Sequence, residues 1–326
     1  MAYTTINKSS LHMNTKLYNG NGNAGHSITG VGFKPDLVWI KRRNSATGHH
    51  LHNVISGATK YMFANDNAAE STDAQKLSSF NSDGFTVGTN GDANNSSGTF
   101  ASWNWKESTA AGFDIISYTG TGSNIDLSHN LSAIPDWIMI KARSGSDAWR
   151  VYSKAMGYDK RLVLSEAGAS STSALGLDAA PTSSVINIGT DTACTNQNNK
   201  TYICYAFKNV QGFSKFGSYT GGGSNFPFIY TGFKPAFVMI KKTNGSENWK
   251  IWDNKRPGFN ELNYQINANN NEAEGNSSNN RLDLLSNGFK LRGSGDTFNT
   301  SGGNYIFMAF AAAPLVGTNN IPATAR

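Results

Sequence analysis

Three closely spaced histidines are the first residues in this sequence whose type and spacing suggest chemistry. His49, His50 and His52 carry imidazoles, which are common ligands of zinc. On a strand, His50 and His52 would lie on the same face, but no third ligand stands at a fixed spacing from them. The related segments DAWRVY and ENWKIW contain no histidine, and we match His52 with their first tryptophans, Trp149 and Trp249. We predict no metal site, and name His50 and His52 as the candidate ligands if one forms.

Aromatic residues at strand starts are candidates for binding. Trp149 and Trp249 each follow a Gly-Ser-acid turn and begin the segments WRVY and WKIW, in which a basic residue separates apolar ones. Such a ring is either part of the core or an exposed platform on which a sugar ring stacks. We favour the core, and keep Trp149, Trp249, Trp252 and His52 as candidate contacts for a glycan or a protein partner.

Recurring carboxylates are candidates for catalysis, because paired carboxylates can act as general acid and base. Asp36 and Asp136 match in position, but Ala236 stands in the third copy, and Asp147 and Glu247 also match. An Asp beside a Pro at the start of a strand is typical of a turn hydrogen bond. The sequence also lacks the Gly-x-Ser-x-Gly, HExxH and Walker motifs. We predict that the chain is not an enzyme and uses no cofactor.

The two cysteines are too few for a disulfide framework. Cys194 and Cys204 are close enough along the chain that one bridge is geometrically conceivable. We favour two reduced thiols, and the sequence leaves the bridge open.

The elements that position these residues come in three copies. Three similar stretches read GFKPDLVWIKRRN, AIPDWIMIKARSG and GFKPAFVMIKKTN, and their prolines, Pro35, Pro135 and Pro235, stand 100 residues apart. Each stretch follows a Tyr-x-Gly-x-Gly turn and precedes an aromatic closing strand, TFASWNWK, TYICYAFK or NYIFMAFA. Self-similarity at a fixed period indicates repeated structural units. The predicted units are module 1 (residues 1–108), module 2 (109–212), module 3 (213–314) and a C-terminal tail (315–326).

Each module has the pattern of a β-sandwich. Both faces of residues 36–41 are apolar, which favours a strand covered on both sides. Asp83-Gly84 and Asn287-Gly288 are hairpin signals, and no segment shows a sustained helical period. We predict an all-β class with three tandem β-sandwich or jelly-roll-like modules. Six aromatic residues of the closing strands should be buried on two opposite faces: Phe100, Tyr202 and Tyr305 on one, and Trp105, Phe207 and Phe310 on the other.

Composition excludes several functional classes. The chain has 326 residues, of which 15% are charged, against about 25% in an average domain. The net charge of +6 arises from few acids, and its densest basic cluster is Lys41-Arg42-Arg43, so nucleic-acid binding is not expected. The sequence contains no run of about 20 apolar residues, so it predicts no membrane span. Residues 1 to about 12 have little apolar content, and we expect this arm to order only against a partner or neighbouring subunit.

Several segments of module 1 resemble tail-fibre-like virion proteins of tailed bacteriophages, especially marine ones. They are MAYTTINKSS, NTKLYNGNG, GFKPDLVWIKRRN, HHLHNVISGATKYM, FNSDGFTVG and TFASWNWK. The resemblance covers residues 1 to about 108 well and extends more weakly through modules 2 and 3. In those proteins the position of His52 usually carries Trp or Phe, so this chain departs from the pattern there.

The resemblance implies a non-enzymatic virion structural protein that is made in the host cytoplasm. Its implied partners are other tail or capsid proteins, further copies of itself, and host-surface carbohydrate. We expect either a homo-oligomer, with the trimer as the favoured state, or a monomer that the particle lattice repeats. The first interpretation is a tail-associated, tail-fibre-like surface protein. The alternative is a capsid decoration protein, either cement or head fibre, and the third is a polysaccharide-degrading tailspike enzyme.

Overall fold

Antiparallel β-strands make up almost all of the regular structure. The computed structural model describes residues 4–172 and 176–314, with 43% of residues in strands and 4% in helices. The all-β prediction is confirmed. The predicted tail at residues 315–326 lies outside the described residues.

In module 1, a long sheet of order β1-β9-β3-β4-β5-β6 lies under a short sheet of order β2-β8-β7. The elements are a 3-10 turn (Ser9–Leu11), β1 (Met13–Asn19), β2 (His26–Thr29), β3 (Leu37–Arg42), β4 (His50–Asn53), β5 (Lys60–Phe63), β6 (Ser71–Thr72), β7 (Leu77–Asn81), β8 (Gly84–Val87), α1 (Gly91–Asn94) and β9 (Thr99–Trp105).

Module 2 repeats this plan with shorter outer parts. Its long sheet has the order β10-β17-β12-β13, and β11 pairs with β16 and β14 with β15. The strands are β10 (Phe113–Thr119), β11 (Ile125–Ser128), β12 (Trp137–Ala142), β13 (Arg150–Ser153), β14 (Lys160–Arg161), β15 (Ser171–Thr172), β16 (Val185–Ile188) and β17 (Thr201–Phe207).

Module 3 has a long sheet of order β18-β26-β20-β21-β22-β23 and a short sheet of order β19-β25-β24. The elements are β18 (Ser214–Thr220), β19 (Phe228–Tyr230), β20 (Phe233–Lys242), β21 (Lys250–Asp253), β22 (Tyr264–Asn267), β23 (Gly275–Asn276), β24 (Leu282–Leu285), β25 (Gly288–Leu291), α2 (Asp296–Asn299) and β26 (Asn304–Pro314).

The three proline strands hold equivalent places in the three long sheets. Strands β3, β12 and β20 each pair with the closing strand of their own module on one side and with the following strand on the other. Pro35 and Pro135 stand just before β3 and β12, and Pro235 lies in β20 where the pairing with β26 shifts register. The predicted Asp-Gly and Asn-Gly hairpins connect β7 to β8 and β24 to β25. Both hairpin predictions are confirmed.

The inner faces of the three long sheets meet in one central core. This core takes Trp39 and Trp105 from module 1, Phe207 from module 2, and Phe237 and Phe310 from module 3. The opposite face of each long sheet packs under its own short sheet and forms a separate core for each module. Strand β3 therefore has no exposed face except at its last residue, Arg42. This agrees with its apolar residues on both sides.

The six predicted closing-strand aromatics are buried, each with at most 3% of its surface exposed. Phe100 contributes to the module 1 core, whereas Trp105 contributes to the central core. A separation of five residues places two side chains on opposite faces of a strand. The prediction of two buried faces is confirmed.

A ring of hydrogen bonds links each module to the loop of the module before it. Three buried lysine ammonium groups donate to carbonyl oxygens across the boundaries, and Arg143 pairs with Glu70 at 2.9 Å. The lysine bonds are Lys141 to Asn67 at 3.1 Å, Lys241 to Ala167 at 2.9 Å, and Lys41 to Asn271 at 3.2 Å. The third bond joins module 1 to module 3. The contacts therefore close into a circle with approximate three-fold repetition.

A buried asparagine explains the recurring Tyr-x-Gly-x-Gly turn. Its amide nitrogen donates to a glycine carbonyl at 2.7 Å in each module, and its oxygen accepts the backbone N–H that follows the first glycine. The residues are Asn94, Asn196 and Asn299. A Cβ at Gly20 would lie 2.1 Å from the carbonyl oxygen of Asn95, so no larger residue fits this turn.

The N-terminal arm corrects one expectation. Residues 9–11 form a 3-10 turn that packs against β26, and Ile6 is 2% exposed in the central core. The described part of the arm, from Thr4 onward, packs against its own chain rather than only against a partner. The composition of the arm was a poor guide because a single buried isoleucine anchors it.

Candidate binding surface of module 3

The short sheet of module 3 differs from its two counterparts in what it exposes. Its first strand buries Ile229 against Phe289 and directs Phe228 and Tyr230 outward, with exposures of 43% and 57%. Phe226, just before the strand, is also exposed. The equivalent outward residues are Ser27 and Thr29 in β2, and Asp126 and Ser128 in β11. We call Phe226, Phe228 and Tyr230 the aromatic face.

The ring of Phe228 rests on the backbone of the neighbouring strand. A Cβ built on Gly288 would lie 2.8 Å from the ring carbon Cζ and 2.1 Å from the carbonyl oxygen of Ile229. Glycine therefore allows the ring to lie close to the sheet, with its other side toward solvent. This fixed position gives the aromatic face a flat outer part.

Charged residues border the aromatic face on the same side of the sheet. Lys290 in the middle strand β25 pairs with Phe228 of β19 on one side and with Asp283 of β24 on the other. Arg292 donates from Nε to Asp283 Oδ2 at 2.6 Å, and Arg281 pairs with Glu261. Within residues 4–172 and 176–314, the Lys290 ammonium forms no ion pair. The face therefore combines exposed rings with one lysine that forms no ion pair among the described residues.

A cavity of about 550 Å³ opens at the other edge of the same module. It is lined by Lys234, Asn254, Leu262 and Leu284 together with residues 258–260. The exposed ring of Phe259 lies at its rim with 73% of its surface accessible. This volume lies within the ordinary range for small-molecule sites.

Modules 1 and 2 fill the equivalent space with their own side chains. Tyr158, which follows a glycine as Phe259 does, packs against the module 2 core and donates its hydroxyl to the carbonyl of Pro135. Module 1 has the small Ala58 there, but Phe80 holds the position of Leu284 and packs against that core. Module 3 combines the smaller Leu284 with an outward ring, which explains the cavity.

We expect Leu284→Phe, which installs the residue of module 1, to stabilise the protein. Filling a cavity commonly adds about 0.5–2 kcal/mol to the free energy of unfolding, and urea denaturation measures it. The matched control is Leu282→Phe, since Leu282 is fully buried in the same core and overpacking costs about 1–3 kcal/mol. Equal destabilisation by both variants would contradict an open cavity beside Leu284.

A search with family models finds one match. The model of a domain of unknown function designated DUF7483 aligns with residues 8–314, which run through all three modules. The chain belongs to the DUF7483 family. No curated protein and no solved structure matches it.

The rings predicted from the sequence as surface contacts lie inside this DUF7483 domain. Trp149, Trp249, Trp252 and His52 are all 0% exposed, so the surface-contact prediction is wrong for each of them. Trp149 Nε1 donates to the carbonyl of Phe63 at 2.8 Å. Trp249 makes the same bond to Val163 at 2.9 Å. Trp252 packs against Phe298. These tryptophans join modules and fill cores, as the favoured core interpretation had it.

The three clustered histidines of this DUF7483 member, His49, His50 and His52, are likewise buried. Strand pairing makes His49 equivalent to Trp149 and Trp249, and His52 equivalent to Tyr152 and Trp252. The predicted match of His52 with Trp149 is therefore wrong by three residues. Within the described ranges, no three His, Cys, Asp or Glu side chains form a group that could hold a metal ion.

Each histidine ring is already engaged with protein atoms. His49 Nδ1 accepts from Trp39 Nε1 at 2.9 Å, and His50 Nε2 lies 2.9 Å from the Lys76 ammonium. His52 Nδ1 lies 3.0 Å from the carbonyl oxygen of Ala58. Burial lowers the pKa of His50 to about 4 and that of His52 to about 3. The rings are neutral packing residues at neutral pH.

This burial predicts a loss of stability in acid. Below about pH 6.5 the unfolded chain protonates His52, whereas the folded chain resists protonation until about pH 3, so unfolding is favoured as the pH falls between these values. His52→Tyr, which installs the module 2 residue, should reduce the difference in unfolding free energy between pH 7 and pH 4.5. Tyr152→His should enlarge it. Urea titrations at both pH values measure the effect, and an unchanged difference in both variants would contradict it.

The two cysteines are buried and are not bridged. Burial raises the pKa of the Cys204 thiol and also that of Cys194, which disfavours the reactive thiolate. The prediction of two reduced thiols is confirmed.

Three of the four recurring acids bond to the backbone or pair with lysine. Asp36 accepts the N–H of Glu107 and Asp136 accepts the N–H of Asn209, each at 2.7 Å. Asp147 pairs with Lys200 at 2.9 Å. These bonds are not the predicted local turn hydrogen bonds, because each joins residues more than 70 positions apart. Asp36 and Asp136 instead connect the starts of β3 and β12 to the segments that follow their closing strands. Among the described helices, none has the length and hydrophobicity that crossing a membrane requires.

Sequence reasoning missed the aromatic face. The segment FPFIY differs from its counterparts GHSIT and SNIDLS by exposing rings where they carry polar residues. Aligning the three modules on the buried residues Ile28, Leu127 and Ile229 would have revealed the difference.

Proposed function

We propose that this chain is a structural protein of a bacteriophage particle that acts by binding and catalyses no reaction. In this proposal it is a tail-associated, tail-fibre-like surface protein that contacts the host surface. The assignment to a phage particle is supported by the resemblance of residues 1–108 to tail-fibre-like virion proteins. The observation that carries the binding role is the aromatic face, because groups of exposed apolar residues often mark interaction sites.

The closed circle of modules supports attachment as a compact unit. Lysine bonds join each module to the next and return from module 1 to module 3. A three-fold arrangement that fibres usually obtain from three chains is here approximated by one chain. We therefore propose that the protein is a monomer by itself and that the particle repeats it. Light scattering during size-exclusion chromatography tests this, and a trimer mass would contradict it.

Mass spectrometry of purified virions tests the proposed place of the protein. We expect the chain in particles of the phage that encodes it, at a few to a few dozen copies for a tail protein. Hundreds of copies would instead favour capsid decoration, the alternative function. Absence from particles would overturn the proposal, and so would turnover of host polysaccharide by the purified protein.

A further inference from the structure

We infer that the aromatic face of module 3 binds an acidic polysaccharide, with Phe228 and Tyr230 as stacking platforms and Lys290 as the partner of an anionic substituent. The inference rests on the proposed function, because that function brings the protein to a surface that carries the glycan. The residues that would bind it belong to the short sheet of module 3.

The three modules provide an internal comparison. The same strand position carries Ser27 and Thr29 in module 1, and Asp126 and Ser128 in module 2. Polar residues therefore suffice for folding at these places, because their side chains lie on the outside of the sheet. Phe228 and Tyr230 do not complete the module core, since Ile229 between them does so. Their rings need an explanation outside the fold, and binding supplies it.

The shape of the face favours a sugar chain. Phe228 lies against the backbone of Gly288 and shows its other side to solvent. Tyr230 follows on the same side of the strand, about 7 Å further along. Two adjacent rings offer flat apolar surfaces to the C–H faces of successive sugars, while the tyrosine hydroxyl can form hydrogen bonds. A row of this kind suits an extended chain better than a single ring.

The charges favour an acidic chain. Lys290 lies beside Phe228 in the register, and its ammonium forms no ion pair among the described residues. Arg292 and Arg281 are occupied by Asp283 and Glu261. Asp283, the cross-strand neighbour of Lys290, is paired with Arg292, so the Lys290 ammonium is available to a carboxylate on a sugar next to the stacked ring. Single-stranded nucleic acid is disfavoured, because it carries a charge on every nucleotide and its binding grooves offer several free cations.

Affinity electrophoresis of the full chain in gels that contain polygalacturonate, alginate or dextran tests the inference. We expect retardation by at least one of the two acidic polymers, with an apparent affinity at least tenfold above that for dextran. The double variant Phe228→Ser with Tyr230→Thr, which installs the module 1 residues, should lose at least tenfold in affinity. Lys290→Ala should weaken acidic binding and leave dextran mobility unchanged. Ser27→Ala with Thr29→Ala is the matched control, and it should bind as the natural chain does.

Three results would overturn the inference. The first is that neither acidic polymer retards the natural chain. The second is that the Phe228/Tyr230 double variant, with an unchanged melting temperature, is retarded as much as the natural chain. The third is that the oligonucleotide poly(dT) binds more tightly than either polymer. The melting temperature separates lost binding from lost folding. If virions contain the protein and these tests fail, the particle function stands and the glycan site falls. If the binding tests succeed and virions lack the protein, the glycan site stands and the particle function falls.

Discussion

Residues 109–212, produced as an isolated module 2, should fail to form a native tertiary structure. One face of its long sheet belongs to the central core, where Trp137 and Trp149 are 0% exposed. In isolation both rings would lose their neighbours from the other modules. Trp137 lies 6.0 Å from Trp249 of module 3, and Trp149 donates to Phe63 of module 1. A large exposed apolar surface on a short chain favours aggregation or a loosely packed state.

Near-ultraviolet circular dichroism and amide NMR spectra measure this outcome, with the full chain as the control. We expect weak aromatic dichroism and poor dispersion of the amide signals for the isolated module. A dispersed spectrum and a cooperative urea transition would contradict the shared core. They would also show that the predicted boundaries at 108/109 and 212/213 enclose independent domains, a prediction that is otherwise open.

Phe310→Ala should lower the free energy of unfolding by about 3–5 kcal/mol, the range for truncating a buried aromatic ring. The Phe310 ring is 1% exposed and lies where all three modules meet. Its centroid is 5.9 Å from that of Trp105, 6.0 Å from that of Phe207 and 6.2 Å from that of Phe237. The cavity left behind would remove aromatic contacts with every module at once.

Urea unfolding followed by tryptophan fluorescence measures this loss, and Phe228→Ala is the control. Phe228 is 43% exposed, and surface substitutions usually change stability by no more than about 0.5 kcal/mol. A loss below about 1 kcal/mol for Phe310→Ala would show that the ring is peripheral. A transition confined to module 3, with the tryptophan signals of modules 1 and 2 unchanged, would contradict a joint core.

The strands and their burial were predictable because the three copies support one another. The spacing of Pro35, Pro135 and Pro235 aligned the segments, and the apolar faces of residues 36–41 indicated a strand covered on both sides. Alternation along the closing strands then placed Phe100 and Trp105 on opposite faces. These are local properties, since a strand's two faces follow directly from its sequence.

The central core was not predictable, because its contacts join residues in different modules. Nothing in the sequence near Trp149 indicates that its ring nitrogen bonds to Phe63, which lies 86 residues earlier. For the same reason the polar segment around Trp249 left an exposed platform open as the alternative to a core position, although neighbouring modules cover that ring. Lys141 is likewise 0% exposed and bonds to Asn67 of the preceding module, a contact that its own strand does not indicate.

The candidate site was missed for a different reason. A search for matches among the modules draws attention to what they share, and shared residues in this chain are mostly packing residues. Phe228 and Tyr230 are visible only as departures from the repeat. The orientation that makes them exposed depends on the neighbouring Ile229 being the buried residue of the strand.

The covalent joining of the three modules has a consequence for how many binding faces one molecule can carry. A ring of identical subunits shows every surface feature once per subunit, because one codon specifies all copies. In this chain each module has its own codons, so Phe228 and Tyr230 occur on one side while Ser27 and Asp126 occupy the matching places on the other two. The molecule thus carries the aromatic face once and has a direction, despite its approximate three-fold form. In the proposed binding role, avidity would come from how a larger assembly spaces and orients whole molecules, and the other two sides could change for other contacts.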